Sequence, residues 1–446
     1  MNDQKKTLRT SLPPEIRDHP LRYDLSNEMH ARPFEKLSPP MQISYYSMTT
    51  GEGNVGKDLK HLRLLCERLG VNPPAENASY FRADFGAFRL RWERHTEFTT
   101  YTFMRQANHG EPFQENPVDF VPPEWLESLP GDRMVGAHLC FLPSDSKEPD
   151  EDDLHHWFVD ESLLGSQMAA GLAQFWTDMR IHSDGHSRIL IRDQGMHPAK
   201  AGRMIQRLLE IETYRNMALL SLPLARSTGP KTAHIDTALA GLTSRMAEPG
   251  ENTSAEDDGE MLHELSGLSA RIERLAAAAT YRFSATRAYY ALVQSRLAEL
   301  EEERIPGYQR LSEFLDRRLA PAMRTVESAA DRLADLSRRA TRAANLLRTR
   351  VDFAVQEQNQ HQLKAVARRS QLQLRLQETV EGLSVAAITY YAVGLMGYGA
   401  KAAKTAGLPV DVSLVTGISI PVIGGLVWLG MRRVRRAIMK DDGQER

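Results

Sequence analysis

Residues 382–400 read GLSVAAITYYAVGLMGYGA and residues 412–431 read VSLVTGISIPVIGGLVWLGM, and neither stretch contains an Asp, Glu, Lys or Arg. At a helical rise of about 1.5 Å per residue, each is long enough to cross a hydrocarbon layer of about 30 Å. Charge brackets both: Glu381 and Lys401 flank the first, Asp411 opens the second, and Arg432, Arg433, Arg435 and Arg436 close it. Gly394, Gly397, Gly399, Gly417, Gly424 and Gly425 permit close helix packing in lipid, and Pro421 is tolerated in a span where it would kink a soluble helix. A buried hairpin of a soluble core would leave this placement of charge unexplained. The sequence therefore predicts transmembrane helices at 382–400 and 412–431, an outer loop at 401–411 and a basic tail at 432–446. Arg368, Arg369 and Arg375 precede the first span and five basic residues follow the second within the tail to Lys440, whereas the loop has Lys401 and Lys404 against Asp411. Basic residues stay on the cytoplasmic side, so both termini are expected there. The opening residues, with Pro13, Pro14, Asp18, His19 and Pro20, contain no apolar run of a secretory signal.

Whole-chain averages conceal this hairpin. The 446 residues carry 56 Lys and Arg against 58 Asp and Glu, a net charge of −2, and the mean hydropathy is −0.43. These values exclude a many-span bundle, a disordered chain and a globally basic nucleic-acid binder. Two cysteines, Cys66 and Cys140, cannot form a disulfide framework; they read as core thiols in a reducing compartment.

Working back from the membrane, the chain reads as helix almost without interruption to an acidic linker, 247–259 (AEPGENTSAEDDG). Leu265, Ile272, Ala279, Val293 and Leu300 share one heptad register, with Leu268, Leu275 and Tyr289 three positions on. Ile305-Pro306-Gly307-Tyr308 predicts a turn, a short helix runs to Leu319, and Pro321 suits the first turn of a new one. Beyond it Val326, Leu333, Ala340, Leu347 and Ala354 recur at sevens, with Ala329, Leu336 and Ala343 between them, the pattern of a coiled-coil-like stalk over 260–381. A seam of this length requires a partner helix, from the same chain or from copies of it. From Pro321 to Glu381 there are eleven Lys and Arg against seven Asp and Glu, an excess placed to meet anionic headgroups. The polar run Gln356-Glu357-Gln358-Asn359-Gln360-His361-Gln362 is either a solvated face or the lining of an oligomer axis.

After a flexible N-terminus (1–18), residues 19–246 read as an α+β domain. Strands are expected at 41–48, 85–93, 98–104 and 134–142, the middle two joined as a hairpin across Arg94-His95-Thr96-Glu97. A second hairpin is expected over 179–192 around Asp184-Gly185. Helices are expected at 56–69, 163–176 and 198–222. Polar knots at His30-Ala31-Arg32-Pro33-Phe34 with the preceding Asn27-Glu28, at Arg94, His95 and Glu97, and at His182, Asp184 and His186 offer acid–base side chains, with structural ion pairing as the commoner use of such clusters. No spacing matches a metallohydrolase or a serine triad. The run Asp150-Glu151-Asp152-Asp153, followed by His155 and His156, reads as a solvated acidic loop with oxygen ligands for a hard cation.

The segments His19-Pro20-Leu21-Arg22, Asn27-Glu28-Met29-His30-Ala31-Arg32-Pro33-Phe34, Trp92 to Phe103, Glu210 to Arg215 and Glu378 to Ser384 together resemble domain-of-unknown-function family 3422, predicted membrane-anchored proteins. The resemblance covers nearly the whole chain, marks His19, Glu28, His30, Arg32, Arg94, His95 and Glu97 as motif candidates, and implies a bacterial inner-membrane protein. The order of elements is also similar to the CorA magnesium-channel superfamily, in which long helices of a pentamer line the pore and Gly-Met-Asn ends the first span. Met396-Gly397-Tyr398-Gly399 stands at that place here, without the Asn. The resemblance implies a homo-oligomeric cation channel in a lipid bilayer, with Mg²⁺ as the candidate ion. No other cofactor, no nucleic-acid partner and no enzyme activity is expected. The rival expectations are a membrane-anchored scaffold or signalling protein without transport and, last, an enzyme of the cytosolic face using His30, Arg32, His95 and Glu97.

Overall fold

The computed structural model describes residues 18–28, 33–51, 56–107, 111–247, 255–407, 409 and 411–441. The chain opens with α1 (Arg22–Glu28), β1 (Met41–Thr49), α2 (Lys57–Leu69), β2 (Tyr80–Asp84), β3 (Arg89–Arg94) and β4 (Phe98–Gln106). There follow α3 (Pro123–Glu127), β5 (Asp132–Leu142), α4 (Glu151–Trp157), β6 (Leu164–Met168), β7 (Ala173–Thr177) and β8 (Ser187–Asp193). Long helices then dominate: α5 (Pro198–Leu219), α6 (Leu222–Ala247), α7 (Ala255–Ala298), the two-residue β9 (Glu303–Arg304), α8 (Leu311–Thr405) and α9 (Val412–Asp441). The chain forms two compact units, Met1–Ala247 with Glu264–Ala343, and Glu248–His263 with Ala344–Arg446.

In the first unit nine strands form one mixed sheet in the order β2-β3-β4-β1-β5-β8-β7-β6-β9, antiparallel except for the β5–β8 pair. Successive side chains point to opposite faces of a strand, and the two faces bury different sets. Ile43, Tyr45, Leu139, Phe141, Ile189 and Ile191 pack with Met204, Ile205 and Leu208 of α5 and with Val293, Leu311 and Leu315 at the facing ends of α7 and α8. The opposite face splits in two. Over β3 and β4, Leu90, Trp92, Tyr101 and Phe103 meet Leu59, Leu62 and Leu65 of α2 and Trp125 of α3; over β7 and β8, Trp176 and Leu190 meet Leu154 of α4. The stripe between these clusters is polar, with Ser44 and His138 buried on it.

Strands β1, β3, β4 and β5 and helices α2 and α5 stand close to where the sequence places them. Two expectations fail. Residues 163–176, expected as a helix, form the β6–β7 hairpin, which turns through Ala169 (φ 59°), Ala170 (φ 58°) and Gly171 (φ 79°). Both strands are buried along nearly their whole length, so alternation is lost and the Leu, Gln, Met and Ala content imitates a helix. Residues 179–192 are not a hairpin: only Ser187–Asp193 is a strand, its antiparallel partner is β7, and Asp184-Gly185 turns an irregular segment in which His182 N–H donates to the His186 carbonyl at 2.9 Å. A third difference is continuity. Pro321 lies inside α8 rather than at the start of a new helix; the carbonyl that loses its partner belongs to exposed Arg317, where water replaces the missing N–H.

Helix α5 approaches the chain before β1 very closely. Leu37 N–H donates to the Pro198 carbonyl at 3.1 Å, and a Cβ on Gly202 would lie 1.7 Å from the Glu35 carbonyl oxygen. Gly202→Ala is therefore expected to cost about 3 kcal/mol, at the upper end of overpacking. Gly241→Ala, on an exposed turn of α6 with open space at its Cβ, should instead stabilise by about 0.5–1 kcal/mol. Parallel melts of the two full-length variants in detergent separate these outcomes.

The heptad positions Leu265, Ile272, Ala279, Val326, Leu333, Leu336 and Ala340 are buried. Arg339 of α8 pairs with Asp236 of α6 at 2.5 Å, and Ser337 donates to Glu273 of α7 at 3.1 Å, so this part of α8 lies against both preceding helices. In the second unit, α8 and α9 each contain a segment long and apolar enough to cross a membrane, with almost all of it exposed. Asp411 accepts from Ser413 N–H at 2.9 Å and so caps α9. The two helices meet at small residues: a Cβ on Gly397 would touch Thr416 Oγ1 at 3.5 Å, and one on Gly424 would touch Thr389 Cγ2 at 3.5 Å. Lys401 lies 5.9 Å from the Tyr398 ring and Arg432 5.0 Å from the Trp428 ring, basic–aromatic pairs of the kind found at membrane surfaces.

Candidate functional site

The β3–β4 hairpin carries Trp92 to Phe103, and its register sets the site. Arg94 pairs with Thr99 and Trp92 with Tyr101; His95 N–H donates to the Phe98 carbonyl at 2.8 Å, and Thr50 N–H, just past β1, reaches the Glu97 carbonyl at 3.3 Å. Behind the turn lies Asp58, in the first turn of α2 and 1% exposed. Its carboxylate accepts Arg94 Nε at 2.9 Å, Arg94 Nη2 at 2.8 Å, Thr99 Oγ1 at 2.9 Å and Leu59 N–H at 2.8 Å. The guanidinium also lies 5.2 Å from the Trp92 ring. A bidentate pair of this kind fixes direction as well as distance, so α2 is fastened to the sheet at its N-terminus.

On the outer side of the turn, Glu97 is held by α7. Arg282 donates to both carboxylate oxygens at 2.9 and 3.1 Å, Tyr281 OH donates to Oε1 at 3.0 Å and Tyr289 OH to Oε2 at 2.6 Å. Burial alone would push the carboxyl upward; the donors from Tyr289, Arg282 and Tyr281 outweigh it and hold Glu97 below the ordinary Glu range. Conversely, burial and the neighbouring carboxylate raise the Tyr289 phenol. His95 stacks on Phe98 with ring centroids 4.4 Å apart. Thr50, Asp58, Arg94, His95, Glu97 and Arg282 line a cavity of about 530 Å³. Both of its carboxylates are saturated with donors, so the chemistry of the site is that of an ion-paired clasp binding α2, the hairpin and α7 together, beside a space the size of a small ligand that Met217 and Leu220 also line.

The other motif candidates lie apart from this clasp or beyond description. His19 caps α1, its Nδ1 accepting Leu21 N–H at 3.2 Å. Glu28 ends α1 and its side chain is not described; His30 and Arg32 lie outside the described residues. Immediately after them Phe34 lies under the Arg203 guanidinium at 4.8 Å, and buried Glu35 faces Arg82 at 3.4 Å and Arg89 at 3.8 Å. Met396, Gly397, Tyr398 and Gly399 form one turn of α8 in the second unit, with Met396 and Tyr398 exposed and Gly397 against Thr416. The acidic run is not a loop: Asp150 caps α4, accepting Asp153 N–H at 2.9 Å, while Asp153 accepts Asp150 N–H at 3.2 Å and Lys147 neutralises both. That reciprocal box takes up Asp150 and Asp153, two of the four carboxylates in the run. Buried Cys66 and Cys140 are unreactive thiols, pushed up to about 11 and about 12 by burial.

One residue with no mark in the sequence reading stands out. His138 of β5 sits 3% exposed on the polar stripe beside His186 and Asp184, the one His/Cys/Asp/Glu group among the described residues whose donor atoms converge closely enough for a metal. The available signal was strand alternation: Val135, Ala137 and Leu139 face one core, so His138 must face the other side.

No curated protein and no solved structure matches the chain. The family model described as "Protein of unknown function (DUF3422)" matches residues 17–438, spanning both units and both apolar helices. The chain belongs to that family.

Proposed function

We propose that the chain is the subunit of a homo-oligomeric membrane protein of CorA-like layout that conducts or transports divalent cations across a bacterial inner membrane, with both termini cytoplasmic. The observation that carries this reading is α8, a single helix from Leu311, packed in the sheet's core, to Thr405 beyond the first apolar segment. One continuous helix therefore carries both residues of the sheet unit's core and the first apolar segment. Two apolar helices cannot enclose a pore, so the reading requires several copies. The run from Gln356 to Gln362, exposed throughout, supplies the polar lining for their common axis. Reconstituted full-length protein should pass Mg²⁺, Co²⁺ or Ni²⁺ into liposomes loaded with an indicator dye; a correctly assembled oligomer without flux would remove the transport reading.

A second reading, a membrane-anchored scaffold, is favoured by Gly397. At the place where the channel superfamily ends its first span, this glycine packs against Thr416 of α9 instead of presenting a polar group to an axis. On this reading the hairpin is an anchor, and exchanging 382–431 for an unrelated two-helix anchor should preserve the cellular phenotype. Loss of phenotype on that exchange counts for transport.

A further inference from the structure

Five side chains on β1, β5 and in and just before β8 define the polar stripe. The register places Ser44 opposite His138 and Tyr46 opposite Gly136, and Ala137 opposite Ser187, so His186 falls beside Gly136. With a two-residue period, Ser44, Tyr46, His138, His186 and Arg188 all face the same side. Gly136 makes the room. A Cβ there would lie 3.0 Å from His186 Cδ2 and 3.1 Å from the Gly185 carbonyl oxygen, too close for the ring to keep its place. The two imidazoles stack with centroids 4.0 Å apart, and Asp184, partly exposed, closes the group from the turn before β8, its Oδ1 3.6 Å from His186 Nδ1.

From this geometry we infer that His138, Asp184 and His186 form a binding site for a first-row divalent metal of the Zn²⁺, Co²⁺ and Ni²⁺ class. Each residue offers one donor atom, and the three lie within 4.8 Å of one another. Metal–nitrogen bonds of about 2.0–2.1 Å in a tetrahedral shell put donors about 3.4 Å apart; an imidazole binds a metal in the plane of its ring, so one of the two stacked rings turns out of the stack to complete the set. Ser44 Oγ contacts His138 Nδ1 at 2.9 Å, which fixes that ring and leaves Nε2 as the ligand nitrogen, the orienting arrangement common around metal-bound histidines. His186 is bracketed by the Asp184 carbonyl at 2.9 Å and by Tyr46 OH at 3.0 Å, and one of these neutral contacts gives way to the ion. Two imidazoles and one carboxylate leave the fourth position of a tetrahedral shell for water.

The surroundings choose the metal. Two imidazole nitrogens beside a single carboxylate suit the Zn²⁺, Co²⁺ and Ni²⁺ class better than ions that demand oxygen ligands. Arg133 lies 5.7 Å from the Tyr46 ring and Arg188 3.8 Å from Asp184. These cations disfavour an ion held by Coulomb attraction alone, so Mg²⁺ and Ca²⁺, which require several oxygens, are poor fits. The inference is independent of the transport reading: a metal here is a resident or sensed ion of the sheet unit, whatever the hairpin does.

Metal-stripped full-length protein in detergent, titrated calorimetrically with Zn²⁺, should bind one ion per chain, and Co²⁺ should give the intense visible bands of a low-coordinate nitrogen site. Asp184→Asn and His138→Gln should each weaken Zn²⁺ binding at least tenfold and Ser44→Ala about tenfold. His155→Ala, on exposed α4, should change nothing, and millimolar Mg²⁺ should not compete. If His138→Gln does not fold, the partly exposed Asp184 variant decides together with the Co²⁺ spectrum. Absence of binding, or binding that survives Asp184→Asn unchanged, overturns the site.

Discussion

Replacing Asp58 by Ala should lower the stability of the sheet unit by about 3–5 kcal/mol, because it leaves the Arg94 guanidinium half-buried without its bidentate partner and removes the acceptor for Thr99 and Leu59. Asp58→Asn should be milder, since an amide oxygen still accepts from Thr99 or from the backbone while the charge pairing is lost. Arg94→Ala should approach the cost of Asp58→Ala for the reciprocal reason, an uncompensated carboxylate at 1% exposure. The double variant should be less damaging than the sum, because once one charge is gone the second contributes only its desolvation. Melting of the full-length variants, with a shift of about 10 °C for the single Ala changes, reads the effect. A loss under 1 kcal/mol for Asp58→Ala would show that the pair does not fasten α2 to the sheet.

The clasp shows what a sequence can and cannot disclose. Arg94, His95 and Glu97 are legible as a turn because Leu90 and Trp92 alternate with charged residues before it and Phe98 starts a β-rich run after it. Their partners are not legible. Asp58 is 36 residues from Arg94, Arg282 is 185 from Glu97 and Tyr289 is 192, and no local pattern encodes which carboxylate meets which guanidinium. The charged side of β3 is not a solvent face: Arg91 is 6% exposed, paired with Glu93 at 2.6 Å and donating to Gln206 of α5 at 3.0 Å, because α5 covers that side of the sheet. The β6–β7 hairpin fails for a related reason. Burial on both faces erases the period-two signal, and tertiary contacts decide between helix and strand where local composition favours helix. The apolar segments of α8 and α9 were legible because length and charge bracketing are local properties, readable without knowing any partner.

Glu97→Ala should cost about 2–3 kcal/mol at neutral pH, somewhat less than Asp58→Ala, because Glu97 and Arg282 are 14% and 20% exposed and water takes over part of the lost contacts. The pH dependence distinguishes this charge-assisted clasp from simple packing. A carboxyl held below its ordinary value contributes stability that is fully present above that value, near 4.5, and is lost as pH falls through the lower folded-state value. The difference between the parent and Glu97→Ala should therefore be constant from neutral pH down to about pH 5 and shrink below it, whereas a packing defect would persist. Glu97→Gln keeps an acceptor for Tyr289 but cannot neutralise Arg282, so it should lie between parent and Ala and show no acid-dependent convergence of its own. Hydrogen exchange locates the damage. Tyr281 and Arg282 sit on one turn of α7 and Tyr289 two turns further on, all bonded to Glu97, so releasing Glu97 should raise exchange in α7 around 281–289 and in β3–β4. It should leave β7 and β8, covered by Leu154 of α4, unchanged. Uniform acceleration across the sheet would mean that Glu97 supports the whole unit rather than joining the hairpin to α7, and the cavity between them would then lose its basis as a separately adjustable site.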